Sequence, residues 1–162
     1  MQSTRTILVV VALCANLAAV PCFGQDPGPS PKEAIQSWAK AFTSKDPAEV
    51  LRFYAESEDL IVIFSSGHQF KGYSLVKTLY ADAARRIAFY ESEVTELAAQ
   101  RLADVAWATC RHRARYRDLA DGTKTQLEVR TTFVLKRHKD GWQIILEHSS
   151  PIADVPRAKP LQ

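Results

Sequence analysis

The spacing of apolar positions changes character about halfway along the chain. Ile35, Trp38 and Phe42 recur at i, i+3 and i+7, which is one face of a helix. That helix has a strong start in Ser30-Pro31-Lys32-Glu33, where Ser30 can cap, Pro31 suits the first turn and Glu33 can close a capping box. It should stop near Ser44. Asp46-Pro47-Ala48-Glu49 repeats the signal, and Val50, Leu51, Phe53 and Tyr54 predict a short second helix. Leu60–Phe64 is a β-branched apolar run and reads as a strand, followed by the turn Ser65-Ser66-Gly67 and a second short strand over His68–Lys71. Val76, Leu79, Tyr80, Ala83, Ile87 and Tyr90 then form one stripe of a third helix spanning Tyr73–Tyr90. Beyond it the period falls to two. Strands are predicted over Ser92–Ala99, Asp104–Asp118, Lys124–Arg137 and Trp142–His148, the last pair joined across Asp140-Gly141, a favoured tight-turn dipeptide.

Three helices and two short strands followed by an antiparallel meander define an α+β chain. Its helices should cover one face of a curved sheet of about six strands. The 162 residues, 24% charged and 46% hydrophobic, suffice for one domain with a core, and no internal repeat interrupts it. Lys and Arg total 21 against 18 acids, without a long basic tract, so composition gives no reason to expect nucleic acid.

The amino terminus reads as an address. Arg5 precedes an apolar run from Ile7 to Val20, too short to span a bilayer, and small residues with Pro21 and Gly24 follow. Residues 1–24 are therefore expected to be a signal peptide and the protein secreted or periplasmic, free of the membrane once the signal is removed. Pro21 is a poor neighbour for lipid attachment at Cys22. Removal leaves the chain near +2 and Cys110 as its lone cysteine, so no internal disulfide is expected. Residues 25–30 read as a linker, 31–150 as the domain, and 151–162, with Pro156 and Pro160, as a flexible tail.

Phosphate-binding glycine loops and nucleophile elbows are absent from the sequence. His68, His112, His138 and His148 lack metal-ligand spacing among themselves or with Cys110, so neither a metal nor a cofactor is expected. In the strand Asp104–Asp118, Trp107, Thr109, Arg111, Arg113, Arg115 and Arg117 share one face. Such a face needs water, acids or an anionic ligand. Either Glu128 and other acids neutralise it, or Arg111, with Arg113, reaches an anion in a pocket. Arg130 is a second candidate; Thr132 and Val134 share its face, while Val129, Thr131, Phe133 and Leu135 hold the other. His148 could titrate near neutrality at the end of the last strand. Trp38, Tyr54, Tyr80 and Trp107 are core residues by default and cavity walls if the sheet closes.

Arg130-Thr131-Thr132-Phe133-Val134-Leu135, then Asp140-Gly141-Trp142, then His148-Ser149-Ser150 resemble the SnoaL-like pattern R-x-T-x-V-L, D-G-x-W, H-x-S. The element order resembles the nuclear-transport-factor-2-like superfamily, a cone of curved sheet with helices over its open side. The resemblance covers roughly residues 31–151. It implies a pocket in the cone and a homodimer through the outer sheet face, and leaves open whether the protein is an enzyme. Set against the ketosteroid isomerases, the base position falls at Phe64, the oxyanion tyrosine at Trp38 and the oxyanion acid at Arg130. A phenylalanine cannot take a proton, so that mechanism does not carry over. An arginine at Arg130 resembles the superfamily's kinase association domains, whose arginine-lined pocket takes carboxylates. That comparison turns Thr109, Arg130 and Ser149 inward and His148 outward.

The expectation is thus a small-molecule pocket lined by Trp38, Tyr54, Tyr80, Trp107, Thr109, Arg111, Arg130 and Ser149, taking a small organic ligand, with an anion among the candidates. The alternatives are an isomerase, dehydratase or hydrolase working through His148, Asp59 or Glu147, and a protein-assembly module docking through the arginine face.

Overall fold

In a computed structural model of the chain, residues 28–153 and 158–160 are described. The expected signal peptide and Cys22 lie outside them. Helix α1 spans Pro31–Ala41, held at its start by the anticipated capping box: Glu33 N–H donates to Ser30 Oγ at 3.3 Å, and Ser30 N–H donates to Glu33 Oε2 at 2.7 Å. Helix α2 is a single turn, Ala48–Leu51, and α3 spans Tyr73–Arg86. Gly72 introduces α3 at φ 89°, a left-handed conformation that glycine adopts without strain.

The strands are β1 (Ile61–Ile63), β2 (Gln69–Lys71), β3 (Ile87–Leu102), β4 (Val105–Asp118), β5 (Lys124–His138), β6 (Gly141–Pro151) and β7 (Ala158–Pro160). They form one mixed sheet in the order β2-β1-β6-β5-β4-β3, with β7 pairing β5 from outside that path. Strand β1 runs parallel to β6, and the other pairings are antiparallel. Register shifts between Phe89 and Glu91, between Thr95 and Ala98 and between Val134 and Leu135 bend the long strands into a curved layer.

Two boundaries differ from expectation. The third helix ends at Arg86 and hands directly to β3, so Ile87 and Tyr90 belong to the strand; two consecutive β-branched or aromatic positions after the Arg85-Arg86 turn favour extension over a further helical turn. The terminal segment expected to be loose places Ala158–Pro160 on the ladder with Thr125–Leu127.

The core fills the concave side. Helix α1 buries Ile35, Trp38 and Ala39 against Cys110 on β4, Phe133 and Leu135 on β5 and Ile144 on β6. On β4 the inward residues are Ala106, Ala108, Cys110, His112 and Ala114; on β5 they are Val129, Thr131, Phe133 and Leu135. The small side chains of β4 keep that wall thin. Helix α3 fully buries Val76, while Leu79, Tyr80 and Ala83 stay half-buried at the edge of a cavity.

Candidate functional site

A cavity of about 230 Å³ opens between α1, α3 and the concave sheet. Its wall is mostly carbon. Phe42 lies with ring centroids 5.0 Å from Trp38, 5.2 Å from Phe89 and 6.0 Å from Tyr80, and Phe64, Leu79 and Leu127 extend the lining. Glu147, Ser149, His112, Ser65 and the Tyr80 hydroxyl supply the polar groups.

Glu147 is 3% exposed and stands at the centre of a hydrogen-bonded chain. Tyr54 Oη donates to Glu147 Oε2 at 2.5 Å. Having spent its proton there, Tyr54 Oη accepts from Trp38 Nε1 at 2.9 Å and from Tyr80 Oη at 2.8 Å. On the other carboxylate oxygen, Ser149 Oγ donates to Oε1 at 3.5 Å, and Thr131 lies 3.0 Å from Ser149. Burial pushes the Glu147 carboxyl up to about 7, although the Tyr54 and Ser149 hydrogen bonds pull the other way. The same burial, with the Glu147 charge, holds the Tyr54 and Tyr80 phenols well above their usual range. His112 rests 4.9 Å from the Trp38 ring, with Nε2 3.0 Å from Ser92 Oγ. Burial lowers it to about 4, so it is uncharged at neutral pH.

The outer face of the sheet accounts for the arginines. Arg111 binds Glu128 and approaches Glu96 at 3.6 Å; Arg113 binds Glu93; Arg115 donates to Glu91 Oε2 at 2.8 Å and to Gln126 at 2.9 Å. Arg130 donates to Glu96 Oε2 at 2.9 Å. Arg111 and Arg130 stand directly opposite each other across β4 and β5, and Glu96, set at φ 51° in a β3 bulge, bridges the two like charges. The neutralised reading of this face therefore describes it.

Of the expected pocket residues, Trp38, Tyr80 and Ser149 line the cavity and Tyr54 stands behind them in the hydrogen-bonded chain. Trp107, Thr109, Arg111 and Arg130 belong to the opposite face. Trp107 is 45% exposed, and Arg130 points away from the hollow towards Glu96. The reason is parity: Thr131, not Arg130, pairs with Ser149, so Arg130 sits one residue out of phase with the inward set. Phe64 and Trp38, two of the three positions that the isomerase comparison marks, do line the cavity. An anionic ligand finds no cation there. Among the described residues, no lysine or arginine lines this cavity, and a carboxylate does.

Of the acid–base candidates, Glu147 is inside. His148 faces out, and Asp59 is exposed on the rim, 3.7 Å from Lys71. Asp59 lines a larger open groove of about 910 Å³, whose Lys136, Arg137 and Asp140 carry both signs of charge without a buried polar centre. Sequence reasoning passed over His112, Phe42 and Phe89. The signal for His112 was its place in the alternating small-residue face with Cys110 and Ala114.

A cone of curved sheet capped by α1 and α3, with a polar pole at the base of an apolar hollow, defines the class: a nuclear-transport-factor-2-like fold. Within that class the family is specific. The SnoaL-like domain model matches residues 32–154, and the chain belongs to that family. Solved structures agree on the fold. A protein of Novosphingobium aromaticivorans, provisionally named an aromatic ring hydroxylase, is 15% identical and superposes with a TM-score of 0.68 over 79% of this chain and 88% of its own. A nuclear-transport-factor-2-like superfamily protein of Salmonella enterica is 18% identical, with a TM-score of 0.65 over 77% and 90%. A ketosteroid isomerase-like protein of Erwinia carotovora atroseptica is 21% identical, with a TM-score of 0.61 over 74% and 92%. No curated protein matches the chain.

Proposed function

We propose that this is an exported SnoaL-like domain whose cone binds one small, largely apolar organic molecule, oriented by a single polar head against Glu147. The observation that carries the reading is the cavity itself: about 230 Å³, walled by aromatic and aliphatic side chains, with its buried acid at one pole. An apolar cavity of about 150 Å³ accepts benzene, so this volume suits a substituted ring or at most two small fused rings and is too small for a three- or four-ring skeleton. The ion pairs of Arg111, Arg113, Arg115 and Arg130 with Glu91, Glu93, Glu96 and Glu128 offset most of the charge of the outer sheet face, which supports the pairing of two copies that the superfamily resemblance implies.

Glu147 favours a second reading, an enzyme of the same fold. A carboxyl that titrates near neutrality beside a bound ligand is suited to give and take a proton, as an isomerase or dehydratase requires. In that case Glu147→Gln abolishes turnover, while His148→Ala and Asp59→Ala leave it intact.

The binding reading is tested by filling the hollow. Ala83 lies half-buried on α3 at the cavity wall, so Ala83→Trp adds bulk there without coring the protein. A panel of monocyclic and fused-ring compounds is screened by thermal shift. Monocyclic compounds should stabilise the wild type and lose that effect in Ala83→Trp; stabilisation by three- or four-ring compounds alone, or unchanged in the variant, would refute the site.

A further inference from the structure

The cavity combines two features that together specify a charge. Among the described residues, five aromatic rings (Trp38, Phe42, Phe64, Tyr80 and Phe89) line it, and the one acid on its wall is held by hydrogen bonds that suit a carboxylate. Tyr54 donates into one oxygen of Glu147 and Ser149 into the other, both of which stabilise the anion. Among the described residues nothing on the wall supplies the opposite charge: the nearby histidine is uncharged, and Arg111 and Arg130 are paired with acids on the far face of the sheet. A buried anion without a partner is unfavourable, and aromatic rings attract cations through the negative potential of their faces. The missing partner is a cation small enough for the hollow.

We propose that the ligand of this cavity is a primary or secondary amine on a single ring, bound as its ammonium ion, with the charge on Glu147 and the apolar body among the rings. The proposal rests on the cavity being the binding site and goes further by naming the head group. A neutral alcohol of the same shape would satisfy the volume but leave the carboxylate uncompensated. A carboxylic acid would set two anions against each other.

The consequence is a linked proton. Because burial holds Glu147 up to about 7, the empty site is partly protonated near neutrality, and an ammonium ion binds the ionised form. Amine affinity therefore rises with pH through that range and levels off above it.

The experiment compares three isosteric probes (benzylamine, benzyl alcohol and benzoate) by calorimetry on the full chain. At about pH 8 benzylamine should bind at least about tenfold tighter than benzyl alcohol, with benzoate weakest. Between about pH 8 and pH 6 the benzylamine affinity should fall about tenfold, while that of benzyl alcohol stays level. Glu147→Gln should erase both the pH dependence and the preference for the amine; the two wild-type measurements stand alone if that variant does not fold. Benzyl alcohol binding as tightly as benzylamine, or an amine affinity level across the range, would overturn the ammonium proposal and leave the cavity reading standing. Binding of none of the three would overturn both.

Discussion

Two buried groups on the wall of one cavity are shifted in opposite directions, and their opposition has a measurable consequence. Glu147 in the folded chain sits at about 7, against 4.5 for the free side chain. A raised acid stabilises the fold below its unfolded value, and that stabilisation is lost as pH rises through the folded value. His112 sits at about 4, against 6.5. A depressed base contributes stability above its unfolded value, lost as pH falls through the folded one. At about 1.4 kcal/mol per pH unit, each interval is worth about 3 kcal/mol. Between pH 4.5 and 6.5 the two slopes have equal size and opposite sign, so the wild type should be nearly flat there. Removing either group exposes the other. Glu147→Gln should lose about 3 kcal/mol of stability on acidification through the histidine's window, and His112→Gln should gain about 3 kcal/mol over the glutamate's. The double variant should be flat again.

Urea unfolding followed by tryptophan fluorescence, repeated at half-unit pH steps, measures this, since fully buried Trp38 packs against His112 and reaches Glu147 through Tyr54. The readout is the slope of variant minus wild type. Lost packing shifts the level but not the slope, and the exposed acids Glu33, Glu96 and Asp121, all held below the usual carboxylate range by hydrogen bonds, cancel in the difference. A Glu147→Gln profile parallel to the wild type across that window would show that Glu147 ionises in the fold at an ordinary pH, and the argument from burial would fail.

Two further outcomes follow from the same geometry. Arg130→Ala should leave cavity binding unchanged within about twofold and cost no more than about 1 kcal/mol, because Arg130 is 45% exposed and its partner Glu96 retains Arg111; a large loss of affinity on titration of any cavity ligand would put that guanidinium back at the site. Cys110, fully buried with its thiol pushed up to about 12, should react with Ellman's reagent about a thousandfold more slowly than a free thiol in a chain beginning at residue 25, and at the ordinary rate in denaturant. Fast labelling in the native state would show that the base of the cone opens to solvent.

The fold was largely legible because its signals are redundant. The capping box at Ser30 and Glu33, the period-two runs of β4 and β5 and the turn before Gly141 each act locally and agree with the others. The arginine face was legible, and so was its neutralisation by acids, but most of the partners were not. Glu128 on β5 was legible as one neutralising acid, but the others come from β3, where Glu91, Glu93 and Glu96 meet β4 through two register shifts, and that strand was expected to be half its true length. Arg130 went wrong for a different reason. The alternation of Val129, Thr131, Phe133 and Leu135 marks the core side of β5, whereas the resemblance to arginine-lined relatives points the opposite way.

The placement of the acid turns on one residue that periodicity cannot display. Leu135 pairs with Ile144 but Val134 pairs with Leu146, so Ile145 is an extra residue in β6. From buried Ile144, strict alternation would carry Leu146 and His148 inward and leave Glu147 in solvent. The bulge reverses this: Glu147 and Ser149 enter the cone at 3% and 7% exposure, and His148 leaves it. Ile144, Ile145 and Leu146 are all apolar, so each would suit either side and the sequence around the bulge carries no mark of it. Parallel pairing with β1 fixes the outcome, since Val62, fully buried, stands beside Glu147 and extends the inward row across the sheet. The inserted residue thus decides whether the cone holds an imidazole or a carboxyl, and with that the sign of charge the proposed ligand would need.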